Sequence, residues 1–154
     1  MKVLFATDGS RQSHAALEML KRLKLSEGDE ILIVTVVDMS VPLPNDIYSG
    51  AVIPNSAELE KFATQNGEEI LTEAAEALHK EFDVVNVAIK TELLYGSPEN
   101  RIVEAVRKNK SNLVVVGSHG YGTWERLILG SVSDSVLHHV PCSVLVVRCC
   151  ENNG

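Results

Sequence analysis

Five short apolar runs, separated by turns and amphipathic stretches, constrain this chain more than any other feature. Val3–Thr7 ends at Asp8-Gly9-Ser10, Ile31–Val37 follows the turn Glu27-Gly28-Asp29, and a third run lies within Val84–Leu94. Leu113–Val116 and Ser143–Val147 complete the set. Ile31–Val37 is apolar on both faces apart from Thr35, the pattern of a central strand in a parallel sheet covered on both sides. Between the runs the period changes from 2 to 3.6. Ala15, Ala16, Met19, Leu20 and Leu23 share one helical face after the first strand. Asn55, with Glu58 three residues on, resembles a capping box opening a helix to about His79, in which Leu59, Phe62, Ala63, Ile70, Leu71, Ala74 and Leu78 face inward and Gly67 is placed to bend it.

Gly96-Ser97-Pro98 is a helix start with Ser97 as cap and Pro98 at the first helical position, continued by Ile102, Val103, Ala105 and Val106. Val132–His139 is a further helix, and Pro141 breaks it from the last strand. Residues 38–55 carry three prolines and no periodicity, which predicts a long surface loop. Strand–helix alternation predicts one α/β domain over residues 1–154, a doubly wound parallel sheet with right-handed crossovers and helices on both faces. Ligands of such sheets bind at the carboxyl ends of the strands, where the winding reverses.

The 154 residues suffice for one core. No apolar stretch approaches the roughly 18 residues of a membrane span, and the start MKVLFATDGS lacks a cleavage pattern, so a cytoplasmic chain is expected. Fourteen basic against 21 acidic side chains give a net charge of −7, without like-charge blocks, which disfavours nucleic-acid binding. Cys142, Cys149 and Cys150 form no C-x-x-C pair and no disulfide framework. Cys142 reads as a small apolar residue opening the last strand, and the adjacent pair near the end carries no argument. The five histidines form no metal pattern: His138 and His139 are neighbours and point in different directions around a helix. No metal site and no catalytic residue is assigned from these patterns.

Gly117, Gly120, Gly130 and Ser131 fall into the spacing G-x2-G-x9-G-S, directly after a strand and before a helix. Glycines there let main-chain N–H groups approach an anion, and the helix N-terminus adds unpaired donors and partial positive charge. Such donors attract phosphate without any net positive charge, and the hydroxyls of Ser131 and Ser133 add to them. No G-x-x-x-x-G-K-[ST] occurs, and the first turn carries only Gly9 where a dinucleotide fold shows G-x-G-x-x-G, so P-loop, kinase and NAD chemistries fall away.

This spacing, with VLFATDGS, GSPENRIVEAV, LVVVGSHG and VPCSVLVVR, resembles the nucleotide-binding subgroup of the universal stress protein family over essentially the whole chain. The resemblance implies a Rossmann-like five-stranded sheet of order 3-2-1-4-5 and ATP as ligand, with ADP and AMP as alternatives. It implies that Gly117 and Gly120 approach ribose and phosphate, that Gly130, Ser131, Val132 and Ser133 hold the terminal phosphates, and that Val116 lines the site. Thr7, with Val36 or Val37 at the end of strand two, borders the adenine, and Ala6 belongs to the same site. It also implies a homodimer through Ser143–Val147, which carries neither proline nor charge to guard a sheet edge.

Several of these residues have a plainer reading. Asp8 either caps the first helix or accepts from a ligand hydroxyl or from water on a phosphate-bound Mg²⁺. His119 is either a solvent-facing loop residue or the one candidate for proton transfer near a phosphate. Arg126 reaches a phosphate or solvates the loop, and Trp124 packs under the loop or against a partner. Three functions compete: a stress-response regulatory module that binds ATP with little or no hydrolysis and signals through loop order to a downstream protein; a phosphohydrolase or nucleotidyl transferase; and a dimeric interaction protein with an empty site. An enzyme needs a base and a charge clamp, for which only His119 and Arg126 offer themselves. The glycine spacing favours the first.

Overall fold

The computed structural model describes residues 1–38, 56–119 and 129–149. The order of elements is β1 (Lys2–Ala6), α1 (Arg11–Leu20), β2 (Glu30–Val37), α2 (Ser56–Phe82), a 3₁₀ turn at Asp83–Val85, β3 (Ala88–Tyr95), α3 (Pro98–Asn109), β4 (Leu113–Gly117), α4 (Ser131–His139) and β5 (Ser143–Val147). All strand pairs are parallel and the sheet order is β3-β2-β1-β4-β5, as the family resemblance implies. β1 lies at the centre, between β2 and β4, so the winding reverses there.

Side chains alternate across each strand, and the core therefore divides into two layers. Val3, Phe5, Ile31, Ile33 and Val115 face α1 and α2, where Leu20, Leu71 and Leu78 close over them. Leu4, Ala6, Leu32, Val34, Val114 and Val116 face α3 and α4, meeting Ile102, Val106 and Val136. Burial of β1 and β2 on both faces explains their unbroken apolar sequence. Thr35, the exception, is 4% exposed and donates from Oγ1 to the Thr7 carbonyl at 2.9 Å. That bond satisfies a buried hydroxyl and ties the end of β1 to β2.

Several expectations change. Phe62 and Met19 are 59% and 38% exposed rather than inward, and Leu17 takes the buried place on α1. A helical stripe predicts a face but not where the sheet beneath it ends. Val84 is exposed and β3 begins only at Ala88, after Asn86 enters the left-handed region at φ 55°. Asn55 lies outside the described residues, so the capping box is not described, and α2 runs on to Phe82. Gly67 sits where the helix backbone meets the sheet: a Cβ there would come within 2.7 Å of Leu93 Cδ1.

A cavity at the carboxyl ends of β1, β2 and β4

β1, β2 and β4 end around one cavity of about 540 Å³ on the side of the sheet that carries α3 and α4. Its floor is apolar: Ala6, Val34, Val36 and Val116 from the strands, with Ile102 and Val132 from the helices. Val36 faces the cavity and Val37 therefore cannot. Val37 is buried on the opposite side, where its Cγ2 lies 3.5 Å from the position a Cβ on Gly67 would take. Of that pair only Val36 lines the cavity, as the two-residue repeat of a strand requires.

The β1 exit is held by a compact polar network. Thr7 Oγ1 donates to Ser13 Oγ at 3.1 Å, Ser13 Oγ donates to the Ser10 carbonyl at 2.9 Å, and Thr7 Oγ1 accepts from Gly9 N at 3.3 Å. The cap of α1 is Ser10, whose Oγ accepts from Ser13 N, and not Asp8. Asp8 Oδ1 instead accepts from Ser10 N at 3.0 Å, an Asx turn one step ahead of the helix. The Asp8 carboxylate is exposed and lines the cavity.

The β4 exit meets the start of α4. Gly130 is the N-cap, with φ −63° and ψ 158°, and no side chain caps this helix. Its N–H donates to the Ser118 carbonyl at 2.8 Å, and its carbonyl accepts the first helical bond, from Asp134 N at 2.9 Å. Helix geometry leaves the N–H groups of Ser131, Val132 and Ser133 without intrahelical acceptors, and all three residues border the cavity. Ser133 is 2% exposed, and its hydroxyl lies 2.9 Å from the Ser118 carbonyl and 3.0 Å from that of Gly130, donating inward. It staples α4 to β4, while the exposed Ser131 hydroxyl remains on the cavity side. His119 lines the cavity beside Gly130, with Nδ1 3.1 Å from Ser118 Oγ.

Gly117 borders the cavity too, but its missing Cβ serves packing. A Cβ there would lie 2.8 Å from the main-chain carbonyl carbon of Gln12, so the first turn of α1 presses directly on the end of β4. Gly120, Trp124 and Arg126 lie outside the described residues.

Ala6, Thr7, Asp8, Val36, Val116, Gly117, His119, Gly130, Ser131, Val132 and Ser133 thus share one cavity. Ser13, Val34, Asp38, Ser97, Pro98, Glu99 and Ile102 join them without having been assigned from sequence. Val34 was recoverable, being two residues before Val36 on the same face. In sequence Gly96-Ser97-Pro98 reads only as a helix start. Ser97 is the N-cap residue and Pro98 opens α3, but the Ser97 side chain makes no capping bond. Burial pushes the Cys142 thiol up from its ordinary value, in keeping with a packing role. Among the described residues no cluster of three or more His, Cys, Asp or Glu is placed to hold a metal, and no helix is long and apolar enough to cross a membrane.

Residues 1–148 match the universal stress protein family. A universal stress protein of Methanocaldococcus jannaschii is 33% identical over 148 residues, covering 96% of this chain and 81% of the relative. The fold is similar to a universal stress protein solved in complex with cAMP, at TM-score 0.63 and 24% identity over 97% of this chain and 98% of that one. It is similar also to an Arabidopsis thaliana family member with AMP bound, at TM-score 0.65 and 19% identity over 99% and 94% of the two chains. With the glycine spacing, the sheet order and the match to residues 1–148 in agreement, the chain belongs to the universal stress protein family.

Proposed function

We propose that this protein is a stress-response regulatory module that binds ATP, with ADP and AMP as alternatives, in the cavity between β1, β4 and α4, with little or no hydrolysis. The observation that carries the reading is the open first turn of α4, where Gly130 supplies no capping side chain and three successive main-chain donors border a cavity of nucleotide size. Each N–H to a charged acceptor contributes on the order of 1.5–3 kcal/mol. The apolar floor of Ala6, Val34, Val36 and Val116 suits a nucleobase. That solved relatives with this fold hold cAMP and AMP agrees with it.

Hydrolysis is disfavoured because the described lining contains no lysine or arginine to stabilise charge building up on a transferred phosphoryl group. Mg²⁺ would enter with the phosphates, and the Asp8 carboxylate in the cavity wall would hold it through water, since Mg²⁺ usually takes one or two carboxylates plus phosphate oxygens. The protein acts in the cytoplasm without nucleic acid, in line with its net charge of −7. Calorimetric titration with ATP, ADP and AMP, with and without Mg²⁺, tests the reading. Saturable binding with no phosphate release above background is expected. No heat at millimolar ATP sinks it, and steady release that disappears in His119→Ala replaces it with an enzyme.

The edge strand β5 leaves Val144, Leu145 and Val146 half-buried, with no partner strand beyond it among the described residues. A homodimer through this edge covers that surface. Sedimentation velocity at micromolar concentration is expected to give twice the chain mass; a single monomeric boundary removes the dimer from the proposal.

A further inference from the structure

Three hydrogen bonds to its main chain fix Ser118. Its N–H donates to the Val147 carbonyl at 2.8 Å, and its carbonyl accepts from Gly130 N at 2.8 Å and from Ser133 Oγ at 2.9 Å. One buried residue thereby joins the ends of β4 and β5 to the start of α4. Its Oγ lies 3.1 Å from His119 Nδ1. With Nδ1 engaged there, Nε2 is the ring nitrogen left for a ligand. Cδ2, the ring carbon bonded to Nε2, lies 3.8 Å from the place a Cβ on Gly130 would take, so this edge of the ring stands beside the N-cap of α4. Of the described residues that line the cavity, His119 is the only one whose side chain can become positively charged; Asp8, Asp38 and Glu99 are carboxylates.

We infer that His119, held in place by the Ser118 hydroxyl, is a protonatable phosphate ligand, so that the cavity takes up a proton with its nucleotide and holds that nucleotide more tightly as the pH falls. The inference rests on the proposed seating of the phosphates at α4. A serine hydroxyl both donates and accepts, so Ser118 serves the ring in either state: it donates to Nδ1 of the neutral imidazole and accepts from Nδ1–H of the cation. Nε2 then carries a hydrogen for the phosphate in both states, and protonation adds the charge. An unperturbed histidine gains that charge between about pH 8 and 5. A phosphate charge about 6 Å from the ring, at an effective dielectric of about 40, favours the cation roughly tenfold. Because the bound anion favours the protonated ring, binding draws in a proton, and affinity climbs as the pH falls through the histidine range until the free ring is protonated as well. On the elements packed around the ring the other titratable groups are Asp8 after β1, Arg11 and His14 on α1, Asp134 in the first turn of α4, and Arg148 and Cys149 after β5. Those that carry charge are exposed and screened by solvent, whereas the proposed phosphate seat adjoins the ring directly.

The test is calorimetric titration of the whole protein with ATP in two buffers of different ionisation enthalpy, which counts the protons taken up on binding. It is run on the parent, His119→Gln and Ser118→Ala across the range from about pH 6.5 to about pH 8. Near pH 7 the parent is expected to take up about half a proton more than His119→Gln, a comparison that cancels the nucleotide's own titration. Its gain in affinity from about pH 8 to about pH 6.5 should exceed that of His119→Gln roughly fourfold. Ser118→Ala keeps all three main-chain hydrogen bonds and should lose most of the extra uptake, with thermal melts confirming that it is folded. Equal uptake in the parent and His119→Gln overturns the inference while leaving the nucleotide site standing, and parent-level uptake in folded Ser118→Ala overturns the positioning by Ser118. Failure of the parent to bind ATP overturns the seating of nucleotide and this inference with it.

Discussion

Replacing Gly117 with valine is expected to cost about 3 kcal/mol of stability, through overpacking at a backbone that has nowhere to go. The first atom added would lie 2.8 Å from the Gln12 carbonyl carbon and 3.0 Å from the Gln12 carbonyl oxygen. Both contacts are main chain, in the first turn of a helix whose inner face is locked by Ala16, Leu17 and Leu20. To make room α1 must lift from β4, and the Thr7–Ser13 hydrogen bond that braces the cavity lifts with it. For a chain of this size the loss corresponds to a melting temperature lower by roughly 6–12 °C. Thermal unfolding followed by circular dichroism reads it, and an unchanged midpoint shows that the α1–β4 contact is looser than described.

Gly130→Val is expected to have the opposite profile, a large loss of ligand with a small loss of stability. At φ −63° the position tolerates any side chain, so backbone strain plays no part. A Cβ would sit 3.2 Å from the Ser118 carbonyl oxygen and 3.3 Å from His119 Cα, and the valine methyl groups then crowd the cleft between β4 and α4. Losing two charge-assisted bonds from main-chain donors to phosphate amounts to at least about 3 kcal/mol, or more than a hundredfold in the dissociation constant for ATP. The melting temperature without ligand should move by less than roughly 5 °C. ATP binding that survives Gly130→Val at the parent affinity would exclude the α4 terminus as the phosphate seat.

These two glycines mark the border between what could be read along the chain and what could not. Both stand out in the spacing G-x2-G-x9-G-S, and both line the cavity. Yet Gly117 is small for the sake of Gln12, a residue more than a hundred positions earlier that no local pattern connects to it. Asp8 shows the same limit at short range. A carboxylate ahead of a helix suits a cap, but Ser10 stands closer and takes the role, leaving Asp8 to its Asx turn. Glu99 and Asp38 border one space although nothing in a helix start or a strand end says that they will. The order of the strands came from family resemblance, since periodicity is blind to which strand neighbours which.

Local chemistry was enough for the five strands, the main helices, their alternation and hence the layered α/β class, because apolar period and turn residues act over a few neighbours. It was also enough to mark the junction after β4 as a helix start with unpaired main-chain donors, since these depend only on the helix. Long-range packing chose Val36 over Val37, turned the Ser133 hydroxyl inward to Ser118, and brought Glu99 from α3 to the cavity that α4 opens. Those choices depend on which surfaces meet once the sheet has closed, and contacts between residues far apart in sequence leave no periodic trace in the chain.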